Sequence, residues 1–519
     1  MSTTALVPTV ADDATWHRLS PRMLLVHPVT EVIRAIPALI GVFLAGTSQG
    51  NHWWGVIGAG VVAVLSLSRW FTTRLRITPE QVQLRKGLLR RTTIATKRDR
   101  IRTVDVTSHL LHRVLGLARV VIGTGTSDRK GGGRIILDGL SVEAATTLRD
   151  DLLHRTTPAI DVSLVKRPQE EPREVPQLRE IARLDRAWIR YAPFTLSGVV
   201  TGLVIWGFYW RVQGESGVDL LRSGPLRSVT STLDRMPTAA AVLVVAAAVV
   251  LFVAISSTVG YILAYWNFRL SRHDGGTLQV TRGLITTRAT SIERRRLVGA
   301  EISEALLLRS VGGARALAVA TGLRVGWGAE RGGEVLLPPA PHAEAEGVAA
   351  IVLDGTPAVT APLRRHGANA RRRRLIRAVV SSVVIWGLAW IAYAVGGSFW
   401  LVIVGAVPLA GSVPLGLDRY RSLGHALVDG YLVTRFGSLV RRRTVLASEA
   451  VIGWNLRSTY FQRRLGLITL TATTAAGRQG YEIADLDPTE ALALADAVVP
   501  DLLTQFRLDP HPAHPATSS

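Results

Sequence analysis

The sequence contains no cysteine, which excludes disulfides, thiolate zinc sites and cysteine nucleophiles together. Lysine is nearly missing too: only Lys86, Lys97, Lys130 and Lys166 occur among 61 basic residues, and the rest are arginine. With abundant alanine and glycine, that bias reads as the imprint of a GC-rich genome. No H-E-x-x-H or Walker-type motif occurs, so metalloprotease and P-loop chemistry have no residues to stand on. The stretch Gly123-Thr124-Gly125-Thr126-Ser127, with glycines at 131–133 after it, leads into a strand rather than a helix. It reads as a hairpin turn, because a phosphate loop needs a helix N-terminus behind it.

What is present is apolar and gathered in blocks, with a mean hydropathy of +0.25. Residues 191–210 run without a charge, 238–266 run longer, and 378–396 with 398–416 flank Gly396-Gly397. Residues 52–71 are uncharged until Arg69; the weakest block, 35–47, holds Pro37 and follows Arg34. About 20 apolar residues cross the hydrocarbon core of a bilayer, so the pattern predicts six transmembrane helices in three hairpins. Trp53, Trp54, Trp70, Trp210, Trp266 and Trp400 stand where interfacial anchors belong. Gly55, Ala59 and Ala63 form a small-residue ridge suited to close helix packing.

An even number of spans places both termini and the three polar regions on one side. The other side receives residues 48–51, 211–237 and a tight turn. Among these, Arg211, Arg222, Arg227 and Arg235 stand against Glu215, Asp219 and Asp234. The remaining basic residues, including the run 371–374 and Arg377, lie on the side of the termini. The positive-inside rule makes that side cytoplasmic. Residues 1–31 show no small-residue cleavage site, so no cleavable secretion signal is expected. No ionisable residue falls near the middle of a span, which weighs against a proton relay or ion-coupled transporter. The net charge of +22 follows the membrane borders, which disfavours nucleic acid as its partner.

Three stretches repeat one pattern, each after a pair of apolar blocks. Gly87-Leu88-Leu89-Arg90 is followed by Arg113 and Gly116-Leu117. Gly283-Leu284-Ile285-Thr286 is followed by Arg309 and Gly312-Gly313, and Gly437-Ser438-Leu439-Val440 by Arg463 and Gly466-Leu467. In every copy the glycines are 29 residues apart and the arginine lies 26 after the first glycine. Self-similarity at a fixed interval marks a duplicated structural unit. Short β-type runs, a Gly-rich turn, a further strand and a closing helix follow in the same order each time. Period-2 strands punctuated by glycine turns read as a small antiparallel sandwich or barrel closed by one helix. Asp487-Pro488-Thr489-Glu490 reads as a capping box opening the last helix. The repeated arginines read as structural, paired within their module or with membrane-proximal backbone; a shared ligand site is the other reading.

This order resembles the bacterial pleckstrin-homology (PH) domain membrane proteins of the YdbS/YdbT family, in their larger, three-copy YdbT form. The resemblance runs from Arg18-Leu19-Ser20-Pro21 to the last helix. It implies a PH-like fold, a cytoplasmic-membrane location and no established enzymatic activity. The fold class expected is therefore an α+β membrane protein: six transmembrane helices in three hairpins, each followed by a PH-like β-sandwich closed by a C-terminal helix. The chain divides into a cytoplasmic arm (1–31), hairpins (32–71, 189–266, 378–416), modules (72–158, 267–356, 417–506), linkers (159–188 and the basic 357–377) and a disordered tail (507–519).

Lys86 is followed by Arg98 and Arg100, and Arg282, at equal spacing, by Arg294 and Arg296. A basic residue on one strand and an R-x-R on the next is similar to the way eukaryotic PH domains cradle phosphorylated inositol headgroups. These six are the candidate lipid-headgroup ligands. The third copy departs, with Phe436, Ser448 and Ala450 at the corresponding places. The alternative is a set of solvated basic faces, each basic group contributing about 1 kcal/mol near an anionic leaflet. His109 and His112 lack partners at metal-site spacing and are expected to face solvent. No catalytic residue, cofactor or metal is assigned. The expectation is a non-enzymatic membrane scaffold or envelope-maintenance protein. Its expected partners are anionic membrane lipids and a smaller YdbS-like PH-domain membrane protein, with no nucleic acid. A lipid or peptide transport component is the second reading.

Overall fold

The computed structural model describes residues 74–78, 80–86, 92–98, 101, 103–123, 134–153, 179–195, 235–273, 276–321 and 335–500, with isolated positions at 17–18, 20, 23, 200, 207, 228, 231–233 and 502. The apolar blocks 35–47 and 52–71, and most of 191–210, lie outside them. Two compact units, residues 1–294 and 295–519, divide the chain within its second copy.

In the first copy, β1 (His17–Arg18), β2 (Arg74–Ile77), β3 (Gln81–Lys86) and β4 (Thr92–Lys97) form one antiparallel sheet. Then come β5 (Thr103–Ser108), the short α1 (Leu110–Val114), β6 (Leu117–Gly123), β7 (Arg134–Ser141) and the closing α2 (Val142–Leu153). One core joins the sheets and the helix: Val82 and Leu84 of β3, Val104 and Val106 of β5, Val120 and Ile122 of β6, and Ala145 and Leu148 of α2. Alternation along β6 explains why one face is buried, while Arg119 and Val121 point the other way.

The second copy comprises β8 (Arg179–Arg183), α3 (Thr238–Tyr265), β9 (Arg269–Arg272), β10 (Leu278–Arg282), β11 (Thr287–Ile292), β12 (Leu297–Ala305), α4 (Leu306–Ser310), β13 (Gly313–Ala320), β14 (Val335–Pro341) and α5 (His342–Val352). The third comprises α6 (Ala368–Ala394), α7 (Trp400–Arg421), β15 (Gly424–Val428), β16 (Tyr431–Phe436), β17 (Val440–Ala447), β18 (Gly453–Arg457), α8 (Tyr460–Arg464), β19 (Ile468–Thr473), β20 (Gly480–Leu486) and α9 (Pro488–Val498). Its core again joins two sheets and the closing helix, through Leu432, Leu446, Leu470, Tyr481, Ile483 and Leu494.

The sheets ignore the copy boundaries. In the first unit one sheet runs β7-β6-β5-β11-β10-β9-β8, and in the second another runs β14-β13-β12-β17-β16-β15. The first half of each later copy therefore continues the second half of the copy before it. This revises the expectation of self-contained sandwiches. A three-stranded half-sheet leaves unpaired backbone groups at its edge, and the neighbouring copy satisfies them.

Among the described residues three helices, rather than the six expected, are long and apolar enough to cross a membrane: α3, α6 and α7. Residues 186–194 form a 3-10 helix containing Pro193, so the block at 191–210 does not begin as a span. The α6 helix starts at Ala368, inside the stretch read as a basic linker, because arginine is a good helix former and no breaker intervenes. The α7 helix runs on to Arg421, with Arg419 and Arg421 at its favourable negative end. Glycines let the two helices approach: a Cβ on Gly405 would lie 2.8 Å from the Ala389 methyl.

Candidate functional site

The 29-residue interval has a direct structural meaning. Gly283 and Gly437 end β10 and β16 at φ +107° and +100°, and a Cβ on either would stand 2.1 Å from the carbonyl oxygen of Thr286 or Val440. Only glycine fits that turn. The second glycines, Gly116, Gly312 and Gly466, have φ of +68°, +72° and +64° and end the short helices α1, α4 and α8. The interval thus measures the chain from a hairpin turn to a helix cap.

Those two landmarks meet across the boundary between copies. In the first joint β11 pairs antiparallel with β5, Thr287 opposite Ser108 and Thr290 opposite Asp105. In the second β17 pairs with β12, Arg441 opposite Glu304 and Thr444 opposite Glu301. Counted from the glycines, the register is the same. The residue four after the later copy's first glycine faces the residue eight before the earlier copy's second glycine.

The turn of the later copy also touches the short helix of the earlier one. Arg113 donates from Nη1 to the Leu284 carbonyl at 2.9 Å, and His109 Nδ1 lies 2.9 Å from the Thr286 hydroxyl. In the second joint the Leu306 N–H donates to the Leu439 carbonyl at 2.8 Å. Arg309 donates to Asp418 at 2.9 Å, and Arg441 reaches the same carboxylate oxygen at 3.2 Å. The repeated arginines therefore reach into the next copy, not within their own module. Arg463, in the last copy, is exposed, and its side chain has no partner among the described residues.

Buried charge is concentrated in the second unit. Glu301 accepts from Arg478 at 2.6 Å and lies 3.7 Å from Arg442. Glu304 meets His342 at 2.9 Å and Arg441 at 3.6 Å. Burial opposes its ionisation, but the imidazole and the arginines hold its carboxyl below the usual range. Asp485, fully buried at φ +64° on a bulge of β20, binds Arg373 at 2.5 Å, Arg374 at 2.6 Å and Gln462 at 2.9 Å. That cluster ties the start of α6 to the last module. The matching bulge of β7 carries Gly139, whose carbonyl accepts from Ser20 N–H and whose α-carbon packs on Met23. Beside Asp485, the tilted rings of His366 and His425 meet with Nε2 and Nδ1 3.2 Å apart. Burial, then the facing His366 and Arg364, lowers His425 to about 4.

The described members of the candidate headgroup set do not converge. Lys86 pairs with Thr92 at the turn end of the β3–β4 hairpin, whereas Lys97, just before Arg98, pairs with Gln81 at the other. Five residues of strand separate those ends by about 17 Å. In the second copy Arg282 faces Arg288, and Arg294 follows Ile292, which faces Leu278, about 13 Å along the strand. Arg282 is only 6% exposed and its guanidinium lies over the Tyr265 ring at 5.2 Å. Arg294 and Arg296 bound a 3-10 turn, while Arg100 lies outside the described residues. An antiparallel hairpin separates what linear spacing brings close.

Two smaller expectations also change. His112 is buried, with Nε2 3.3 Å from Asp138, which also pairs with Arg119; His109 is held in the joint. The polar face of β7 supplies Asp138 to His112, and the turn of the next copy supplies Thr286 to the half-buried His109, partners that sequence distance concealed. Asp487 caps α9 through the Thr489 N–H at 2.9 Å. Glu490, the expected reciprocal member, turns instead to Arg364 at 2.8 Å.

Paired half-sheets, a closing helix and three copies in series describe a repeated domain, and the comparison with known families agrees. The family model described as bacterial PH domain matches residues 28–156, 224–355 and 375–500. The chain belongs to the bacterial PH domain family. Comparison with the curated proteins and with the solved structures returned no match. The three matches accord with the three glycine-marked copies, and each includes one copy's first glycine, Gly87, Gly283 or Gly437.

Proposed function

We propose that this protein is a non-enzymatic, multi-pass membrane scaffold of the three-copy YdbT type. It presents PH-like copies at the cytoplasmic leaflet, in envelope maintenance or stress. One observation supports this reading above the others: apolar helices lead almost directly into sheets. The α3 helix ends at Tyr265 and β9 begins at Arg269; α7 ends at Arg421 and β15 begins at Gly424. Such short connections would hold a module against the bilayer surface, and the shared sheets would prevent neighbouring copies from moving separately. Basic faces at that surface would dock on anionic lipid by general charge, consistent with the scattered positions of Lys86, Arg98 and Arg294. A smaller YdbS-like PH-domain membrane protein is the proposed partner, to be sought by co-purification in mild detergent.

Topology tests the reading. Tags at both termini and near Gly132, Gly332 and Gly477 are expected to be cytoplasmic, and a tag within 211–237 external. An external label near Gly332 contradicts the arrangement. Binding to anionic vesicles is expected to fall with added salt and with the number of arginines replaced, whatever their position, since exposed charges are screened beyond about 10 Å at 0.1 M.

A further inference from the structure

Each internal joint uses one free edge from each copy: the first strand of the second half-sheet, β5 or β12, and the third strand of the next copy's first half-sheet, β11 or β17. The same two edges exist at the ends of the series. The β4 strand borders the first sheet and β18 borders the last, and among the described residues neither has a strand on its outer side. Thr92, Thr93, Ala95 and Lys97 of β4 are exposed, as are Asn455, Leu456 and Arg457 of β18. Neither strand contains proline, a common device for blunting an edge.

We propose that β18 of one chain pairs with β4 of a second copy of this chain, extending the series head to tail by the joint already used twice within it. Two further features fit that occupant. Arg463 holds the position from which Arg113 and Arg309 reach into the following copy, and its side chain has no partner among the described residues. Gly453 stands thirteen residues before its copy's second glycine, as Gly299 does. A Cβ on Gly299 would lie 2.1 Å from the Val445 carbonyl of the incoming strand, while a Cβ on Gly453 would meet only the Thr473 hydroxyl, at 3.2 Å. In the second joint the glycine makes room for a neighbour, and the third copy keeps the same room.

The shared register specifies the contacts. Leu456 would face Thr93, as Ile302 faces Arg443 and Val106 faces Ala289; Asn455 would face Ile94. The pairing joins unlike surfaces, so it continues into a row or closes into a ring. It goes beyond the scaffold reading and stands or falls separately from membrane topology.

The cysteine-free chain allows a clean test. Two differently tagged full-length copies, one with Leu456→Cys and one with Thr93→Cys, are co-expressed and oxidised in their native surroundings. The expected result is a mixed disulfide joining the two tags. Its yield should be about tenfold above that of Leu456→Cys with Ala95→Cys, because directly opposed residues lie within the Cα range a disulfide needs and the diagonal pair lies at or beyond its limit. Equal yields at the two positions, no mixed disulfide at either, or capture of Leu456→Cys chiefly with itself would each overturn the proposal. Ser458→Pro removes an N–H that faces the incoming strand, since Ser458 corresponds to Glu304, the Leu306 N–H already turns to Leu439 and donors alternate along a strand. It is expected to reduce the mixed product while leaving the detergent-solubilised single chain folded by circular dichroism. An undiminished product in that folded variant would likewise count against the pairing.

Discussion

The two joints between copies share a register and little else. The first pairs residues 105–108 with 287–290 and is finished by one arginine on a backbone carbonyl and one histidine on a hydroxyl. The second pairs 299–305 with 440–446 and is surrounded by ion pairs: Glu304 with Arg441, Glu301 with Arg442 and Arg478, and Arg309 with Asp418. Register therefore comes from backbone pairing and from the two glycine landmarks, while the side chains around it are replaceable. A one-residue slip would turn every side chain to the opposite face, which is reason enough for the interval to stay fixed as the residues between change.

If charge distinguishes the regions, its loss should be felt most in the second unit. Asp485→Ala would strand Arg373 and Arg374 beside a buried vacancy and is expected to cost about 3–5 kcal/mol, read by denaturant unfolding in detergent. A loss below about 1 kcal/mol would mean that those arginines find water or another partner.

The glycine turns should behave alike in both joints. Gly283→Ala and Gly437→Ala each force a Cβ into a carbonyl oxygen in a left-handed conformation and should cost at least about 2 kcal/mol. Gly312→Ala and Gly466→Ala, where a Cβ meets open space, should cost about 1 kcal/mol from backbone strain alone. Unequal costs at Gly283 and Gly437 would break the claim that one geometry sets both registers.

Acid should separate the units. His425 is lowered from 6.5 to about 4 in the folded protein. The unfolded chain therefore takes up that proton first, and stability present above pH 6.5 is lost as pH falls toward 4, at up to about 1.4 kcal/mol per pH unit. Burial raises Asp138, but hydrogen bonds from His112 and Arg119 outweigh it and hold the carboxyl at about 2. Its contribution is kept above 3.8 and lost only as pH falls from there toward 2. Unfolding followed by probes in each unit should show the second weakening first, and His425→Gln should remove part of that early loss.

The smallest expected difference lies in the repeated arginines. Arg113→Ala should cost about 1 kcal/mol for one hydrogen bond to a carbonyl, and Arg463→Ala nothing measurable in an isolated chain. A matching loss at Arg463 would show that its role is internal to the last copy.

The triplication was legible because Gly116, Gly283, Gly312, Gly437 and Gly466 all need positive-φ backbone and so cannot drift. The order of strands was legible because β-type runs such as 118–124 and 468–474 are bounded by turn residues. Membership of a PH-like family followed from that order joined to the apolar blocks. Sharing of sheets was not legible: β5 and β11 carry no sequence mark that separates a partner in the same copy from one in the next. The apparent headgroup pattern misled for a related reason, since Lys86 and Arg98 are near in sequence and at opposite ends of a hairpin. His112 of α1 and Asp138 of β7 met for the converse reason, far apart in sequence and 3.3 Å apart in the fold.

The central claim is that consecutive copies are joined by one strand ladder at one register, and disulfide capture within a single chain tests it most directly. Thr107→Cys with Arg288→Cys, and separately Ser303→Cys with Arg442→Cys, place thiols on residues that face each other across the two joints. With a protease site inserted between the copies concerned, cleaved protein from both variants should remain one band without reductant and become two with it. Separation into two bands without reductant, in either variant, would contradict the shared sheets.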